Sequence, residues 1–212
     1  MKIVFISDLH SQLDFKVPPC DVLCICGDIT YHYTAVRQLE WINSTFKLWM
    51  EKVSAKYIVI IPGNHDAAFK HLENSRIANI PWNLLINQTI EIDGVKFWGS
   101  PYTPYFARIA FEETEDGLRK IYEAIPKDTD IILSHGPPFG IGDLNFHNEH
   151  CGSDALYDAV MKIKPKIVAY GHIHQDHGIR ERDGIKFINC SLLDDDYRMV
   201  FEPIVIDFEK EE

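Results

Sequence analysis

Residues 57–66 read Tyr57-Ile58-Val59-Ile60-Ile61-Pro62-Gly63-Asn64-His65-Asp66: an apolar run, a turn, then three side chains able to bind metal or move protons. An uninterrupted β-rich run of this length suits a strand buried on both faces. The polar triplet after it has no packing reason to be there. The same grammar occurs four more times. Ile3 to Ile6 precedes Ser7-Asp8-Leu9-His10, and Val22 to Cys26 precedes Gly27-Asp28. Ile131 to Leu133 precedes Ser134-His135-Gly136-Pro137-Pro138, and Ile167 to Tyr170 precedes Gly171-His172-Ile173-His174. In open α/β sheets, functional groups gather beyond the carboxyl ends of parallel strands. All five turns are therefore expected to open onto one edge.

Helical patterns lie between these strands. Ala35, Val36, Leu39, Ile42, Phe46, Trp49, Met50 and Val53 recur at spacings of three and four, predicting an amphipathic helix over about 34–53 that buries Trp41 and Trp49. A weaker pattern covers 111–125, and a third helix runs from Ser153 as N-cap to Lys164, stopped by Pro165. Asp93-Gly94 and Asp183-Gly184 each separate two strand-like runs, predicting hairpins over 89–98 and 179–188. The run 203–208 reads as a closing strand before an acidic tail. Strand–helix alternation with added hairpins predicts one α/β domain over 1–212 with mixed sheets.

Composition narrows the function. The 212 residues are 46% hydrophobic and 25% charged, with 32 acidic against 21 basic side chains and a formal charge of −11. A surplus of acid speaks against stable binding to a nucleic-acid polymer, which needs cations to displace counterions. No apolar run approaches the roughly 18 residues of a membrane span, and charge interrupts the N-terminal run too early for a signal peptide. The five cysteines are odd in number and irregularly spaced; Cys24 and Cys26 read as buried strand residues, not thiolate ligands. A reduced, cytoplasmic protein is expected.

The candidate ligands are Asp8, His10, Asp28, Asn64, His135, His172 and His174. Carboxylate, imidazole and amide oxygen together suit manganese, iron or zinc, not calcium. Seven donors exceed the needs of one ion but serve two if a carboxylate bridges. Two ions that share a water lower its pKa and can clamp the attacking and leaving oxygens of an in-line displacement. His65 is read as the catalytic acid at the leaving oxygen, with Asn64 and His65 contacting substrate. Asp66 either orients His65 or serves the turn. His147 and His150 read as solvated loop histidines; His32, His71 and His177 carry no motif. Tyr102, Tyr105 and Phe139 are candidates for an aromatic wall, with packing as the equal alternative.

The order Asp-x-His, Gly-Asp, Gly-Asn-His-Asp, His, Gly-His-x-His resembles the calcineurin-like metallophosphoesterase superfamily from Asp8 to His174. The segments Trp98 to Tyr102, Ser134 to Pro138 with Gly142-Asp143, and Asn189-Cys190-Ser191 resemble the small phosphoesterases related to the brain 239 proteins. Some mammalian members of that group carry Gly where His172 stands here. The resemblance implies a four-layer α/β/β/α sandwich with two mixed β-sheets. It also implies a first ion on Asp8, His10 and His174, a second on Asn64, His135 and His172, and Asp28 bridging. Two divalent ions follow, manganese preferred over iron, zinc or cobalt. The implied activity is that of a phosphodiesterase that hydrolyses a small organic or nucleotide diester by in-line attack of a hydroxide shared between the ions. The alternatives are a phosphomonoesterase, a nuclease, or a non-catalytic metal-binding scaffold like the retromer subunit that resembles these enzymes. A protein Ser/Thr phosphatase fits poorly, since Gly27-Asp28-Ile29-Thr30 lacks the arginine of that branch's Gly-Asp-x-Val-Asp-Arg-Gly.

Overall fold

The computed structural model describes residues 1–31, 34–70 and 82–209. His32, His71 and the last three residues of the acidic tail lie outside them. Strands β1 (Lys2–Ile6), β2 (Cys20–Cys26), β3 (Ala55–Ile61) and β4 (Asn83–Leu84) run parallel in that order. The hairpin of β5 (Gln88–Ile92) and β6 (Val95–Ser100) opens the second sheet, and β7 (Thr103–Pro104) pairs with β8 (Glu112–Glu113) in a small parallel ladder. β9 (Ile131–Ser134), β10 (Ile167–Tyr170), β11 (Gly178–Arg182) and β12 (Ile185–Asn189) complete the second sheet in the order β11-β12-β10-β9-β6-β5. β13 (Ile204–Asp207) returns to the first sheet, antiparallel to β1. Both sheets are thus mixed. In the second, the Asp-Gly turns supply the antiparallel edge strands.

The period-two alternation of strands explains the layers. Ile3, Phe5, Val22, Cys24, Cys26, Val59 and Ile61 face Phe97, Ile131, Leu133, Ala169 and Ile188 of the other sheet in one apolar core. Their neighbours Val4, Ile6, Leu23, Ile25 and Ile60 point the opposite way, onto the helical segment that contributes Ile42, Phe46 and Met50. On the far side, Ile132, Val168, Tyr170 and Phe187 pack on Leu118 and Tyr122 of α4 (Glu115–Tyr122) and on Leu156 and Val160 of α5 (Asp154–Ile163). The result is the four-layer α/β/β/α arrangement. Cys24 and Cys26 sit in the intersheet core, and all five cysteines are free.

The helix expected over about 34–53 differs in its middle. α1 (Ala35–Trp41) and α2 (Lys47–Met50) are joined by a π-helical stretch, Ile42–Phe46, and the one-turn α3 (Ala67–Lys70) follows β3. The Ser44 hydroxyl donates to the Glu40 carbonyl at 2.5 Å, intruding on the backbone ladder. The wider turn brings residues five apart onto one face. Trp41 accordingly stacks on Phe46 (centroids 5.4 Å, 21°), and Phe46 on Trp49 (5.6 Å, 18°). The helix expected over 111–125 is confined to α4, because Thr114 caps it through the Gly117 amide. α5 starts from the Ser153 cap as anticipated and ends at Lys164, which adopts a left-handed conformation at φ 56°. That geometry costs an L-residue about 1–2 kcal/mol, while glycine adopts it freely at some entropic cost. Lys164→Gly is therefore expected to raise stability by about 0.5–1 kcal/mol, measured as a higher urea midpoint.

Candidate metal centre

The carboxyl ends of β1, β2, β3, β9 and β10 carry the five motifs to one edge of the sandwich. The Asp8 and His10 amides donate to the Gly27 and Asp28 carbonyls at 3.0 and 2.9 Å, joining the first two loops. The two sheets meet here as well. Ser7 bridges Ser191, the Leu192 amide donates to the Ser7 carbonyl at 3.1 Å, and the His172 amide reaches the Asp8 carboxylate at 3.0 Å. A methyl group on Gly171 would overlap the Asp8 carboxylate, and one on Gly63 would overlap that of Asp28. Glycine is needed at both for close approach. Asp8, His10, Asp28 and His172 all have positive φ, between 41° and 67°. Such strain clusters where side-chain aim matters more than backbone comfort.

Two groups of donors converge. Asp8, His10 and His174 offer ligand atoms within 4.8 Å of one another, and so do Asp28, His135 and His172. Asp28 stands between the groups: its Oδ2 lies 3.4 Å from His135 Nε2, 3.6 Å from His10 Nε2 and 4.0 Å from His65 Nε2. Asn64 Oδ1 is 2.8 Å from His135 Nε2. Partners behind the rings fix their aim, as is usual for metal-ligating histidines. His135 Nδ1 bonds the Cys26 carbonyl at 2.9 Å, and His174 Nδ1 the Asp194 carbonyl at 3.1 Å. In each case Nε2 is left to face the carboxylates.

Electrostatics make the same demand for cations. Asp8 is fully buried and Asp28 nearly so. Burial opposes their ionisation. His174 and His135 outweigh it for Asp8, holding it at about 2, and His135 leads in holding Asp28 well below the usual carboxylate range. Burial likewise opposes charge on His135 and His174, but Asp28 lifts the first to about 10 and Asp8 the second to about 9. His10 and His172 go the other way: desolvation drops them to about 4 and 3. Both nitrogens of His10 are buried without a hydrogen-bond partner. A neutral imidazole with an unused lone pair beside two carboxylates fits a divalent ion. No thiol is among these donors, which fits a borderline N/O-preferring metal.

His65 flanks this cluster without joining either donor group. Its amide donates to Asp28 Oδ1 at 2.8 Å, its carbonyl accepts from Gln38 Nε2 at 2.7 Å, and its side chain is 37% exposed. The hydrogen bonds of Asp66 go to the turn and not to the His65 ring. Its buried carboxylate accepts from the amides of Gly63 (2.8 Å), Ile29 (3.0 Å) and Thr30 (2.9 Å), and from the Thr30 hydroxyl (3.1 Å). Burial, reinforced by Asp28, raises it to about 6. Of the two readings of Asp66, the structure gives it the turn. Gln38 was not anticipated. It is buried in α1, and its Oε1 also accepts from the Ala68 amide at 2.7 Å. The one signal was a polar residue on the stripe running through Ala35 and Ile42.

A cavity of about 760 Å³ opens over His10, Asp28, Asn64 and His65. Only Tyr105 of the anticipated aromatic wall lines it, joined by Phe106, Phe146 and Tyr197. Tyr102 instead packs edge-on against Phe111, and Phe139 lies against His150. His147 is exposed beside Phe146, whereas His150 is bonded through Nδ1 to Asp143 at 2.7 Å. His150 is thus not a plain solvated histidine. His177 bonds the Ser191 carbonyl and stacks on Phe201, away from these donors.

Known proteins share this arrangement of sequence and fold. The model of the calcineurin-like phosphoesterase family matches residues 1–176. A UPF0046 protein of Caenorhabditis elegans is 31% identical over 221 residues, covering 97% of this chain and 74% of its own. Human metallophosphoesterase domain-containing protein 1 is 27% identical over 235 residues, covering 97% of this chain and 70% of its own. Among solved structures, TT1561 of Thermus thermophilus superposes with a TM-score of 0.59 at 12% identity, covering 89% of this chain and 88% of that one. The chain belongs to the calcineurin-like phosphoesterase family, whose members bind divalent metals. No helix among the described residues is long and apolar enough to cross a membrane.

Removing the Asp66 carboxylate orphans three amides at the base of the site. Each buried, unsatisfied group costs about 1–3 kcal/mol. Asp66→Ala is expected to lower stability by about 3–5 kcal/mol, with Asp66→Asn losing less. A urea midpoint for Asp66→Ala within about 1 kcal/mol of the parent, on the same scale, would mean the carboxylate does not lock these loops.

Proposed function

We propose that this protein is a phosphodiesterase that uses two divalent cations, manganese preferred over iron, zinc or cobalt, on a small organic or nucleotide diester. The observation carrying this reading is the position of Asp28, whose carboxylate faces both donor groups at once. Asp8, His10 and His174 would hold one ion, Asn64, His135 and His172 the other, and Asp28 both. When bound, such ions supply Lewis acidity to the phosphoryl group and to the attacking water.

The chain's own residues supply the rest. Asn64 and His65 sit side by side at the cavity floor, where a phosphoryl oxygen would meet the carboxamide and the imidazole. His65 is hydrogen-bonded to Asp28 and Gln38 through its backbone, and its ring, edge-on to His10 and 4.0 Å from the Asp28 carboxylate, would protonate the leaving oxygen. Proton transfer of this kind contributes about 10²–10⁴-fold. The described residues lining the cavity include no lysine or arginine. A diester, with one negative charge, therefore suits the site better than a dianionic monoester.

Metal analysis is expected to find two ions per chain. With Mn²⁺, kcat/KM for bis-p-nitrophenyl phosphate should exceed that for p-nitrophenyl phosphate at least tenfold, and chelation should abolish both. His65→Ala should keep both ions and lose about 100-fold in kcat. Failure to bind metal or turn over with Mn²⁺, Fe²⁺, Zn²⁺ or Co²⁺ would defeat the enzyme reading. Full turnover by His65→Ala would remove only its role as acid.

A further inference from the structure

The cavity is far larger than a phosphoryl group needs. At about 760 Å³ it falls within the range of sites that enclose an organic molecule. One wall is the segment 143–152, an ordered hairpin. Leu144 pairs with His150, the Asn145 amide donates to the Glu149 carbonyl at 3.0 Å, and the Cys151 amide to the Asp143 carbonyl at 3.0 Å. The Leu144 amide also reaches Asp176 Oδ2 at 3.1 Å, just beyond His174. This wall is tied to the segment after β10 that carries His172 and His174.

Within the hairpin stands a pair that the phosphoester reading leaves unused. Asp143 is 1% exposed; its Oδ2 accepts from the Gly140 and Gly152 amides at 2.9 and 3.1 Å, and its Oδ1 holds His150 Nδ1 at 2.7 Å. A buried carboxylate so fixed dictates which nitrogen of His150 carries the inward proton. The ring is packed against Phe139 at 5.0 Å and is about half exposed. With Nδ1 engaged, Nε2 is the nitrogen left for a ligand. Of the rings lining the same cavity, Phe146 is 70% exposed, and Phe106, 60% exposed, lies 5.3 Å from the His172 ring. Large apolar rings held in water on ordered loops mark a surface that a ligand covers. Charge restricts that ligand. Glu149 and Asp195 line the cavity, and no lysine or arginine does so among the described residues. A second anionic group would find no partner away from the metal cluster.

We infer that Phe106, Phe146 and the Asp143-oriented His150 form a subsite for an uncharged aromatic arm of the phosphoester, one that carries a polar atom for His150 Nε2. Phe106 and Phe146 supply the faces, His150 the hydrogen bond, and Asp143 acts as a positioning residue. The inference rests on the phosphoester reading above and extends it to the chemistry of the substrate's organic part.

Binding to the Mn²⁺-loaded protein tests it without turnover. By titration calorimetry, benzylphosphonate is expected to bind at least tenfold more tightly than methylphosphonate. Phe146→Ala, with metal content verified, should reduce that ratio to threefold or less. Among 3- and 4-hydroxybenzyl and 3- and 4-carbamoylbenzyl phosphonates, at least one should gain fivefold or more over benzylphosphonate. That gain should vanish in His150→Phe, which keeps the ring against Phe139. Because His150→Phe leaves Asp143 Oδ1 without its ring partner, its fold and metal content are verified first, and His150→Gln, whose carboxamide can still donate to Asp143, is the second variant and should show the same loss. Equal binding of methyl- and benzylphosphonate, tighter binding of 2-aminoethylphosphonate or phosphonoacetate, or a polar gain that survives His150→Phe would overturn the subsite alone. Failure of every phosphonate, methylphosphonate included, would overturn the phosphoester reading and the subsite with it.

Discussion

Two carboxylates, Asp8 and Asp28, are buried at a junction where the nearest charged partners are imidazoles. Burying an anion without compensation is among the costliest acts in folding. Asp28 and Asp8 accordingly favour protons on His135 and His174. That solution is incomplete, because His10 stays neutral with both nitrogens unsatisfied. Much of the local architecture is understandable as preparation for a better counter-charge. The left-handed turns at Asp8, Asp28 and His172 and the side-chain-free approach at Gly63 and Gly171 all serve to converge these groups. Each costs something that ordinary packing does not return.

The surrounding shell explains why the convergence is stable. Asp66 ties the Gly27-Asp28 loop to the Gly63-Asn64 loop through backbone amides, so the carboxylate from one strand and the carboxamide from the next keep a fixed spacing. The Cys26 and Asp194 carbonyls pin His135 and His174 from behind. Gln38 reaches from the helical layer to hold the backbone of His65. Each of these contacts joins a side chain to the main chain of another element, so the site is held by backbone groups that the strands themselves fix in place.

What the sequence disclosed and what it hid divide along physical lines. Apolar runs ending in polar clusters located every strand that bears a candidate ligand, because burial on both faces and a functional loop at one end leave a contrast visible within ten residues. Asp93-Gly94 and Asp183-Gly184 marked the hairpins for an equally local reason, positive φ at each of the four residues. The π-helical stretch was hidden because it depends on how Trp41, Phe46 and Trp49 stack in three dimensions. The Asp143–His150 pair was hidden because it is a contact across a hairpin whose turn residues carry no strong signal. The aromatic wall was misplaced at Tyr102 and Phe139 for the same reason: a ring's sequence neighbours do not tell which side of a loop it occupies.

Each donor group draws on both sheets. Asp8 and His10 follow a strand of the first while His174 follows one of the second; Asp28 and His135 divide likewise. A cation held in either group is therefore a rivet driven through two layers that otherwise meet through apolar packing, loop hydrogen bonds and the exposed Lys56–Asp93 ion pair. Ion occupancy and sheet docking become one equilibrium viewed from two ends. A chain whose sheets have not yet met has nowhere to put the metal, and a loaded chain resists their separation.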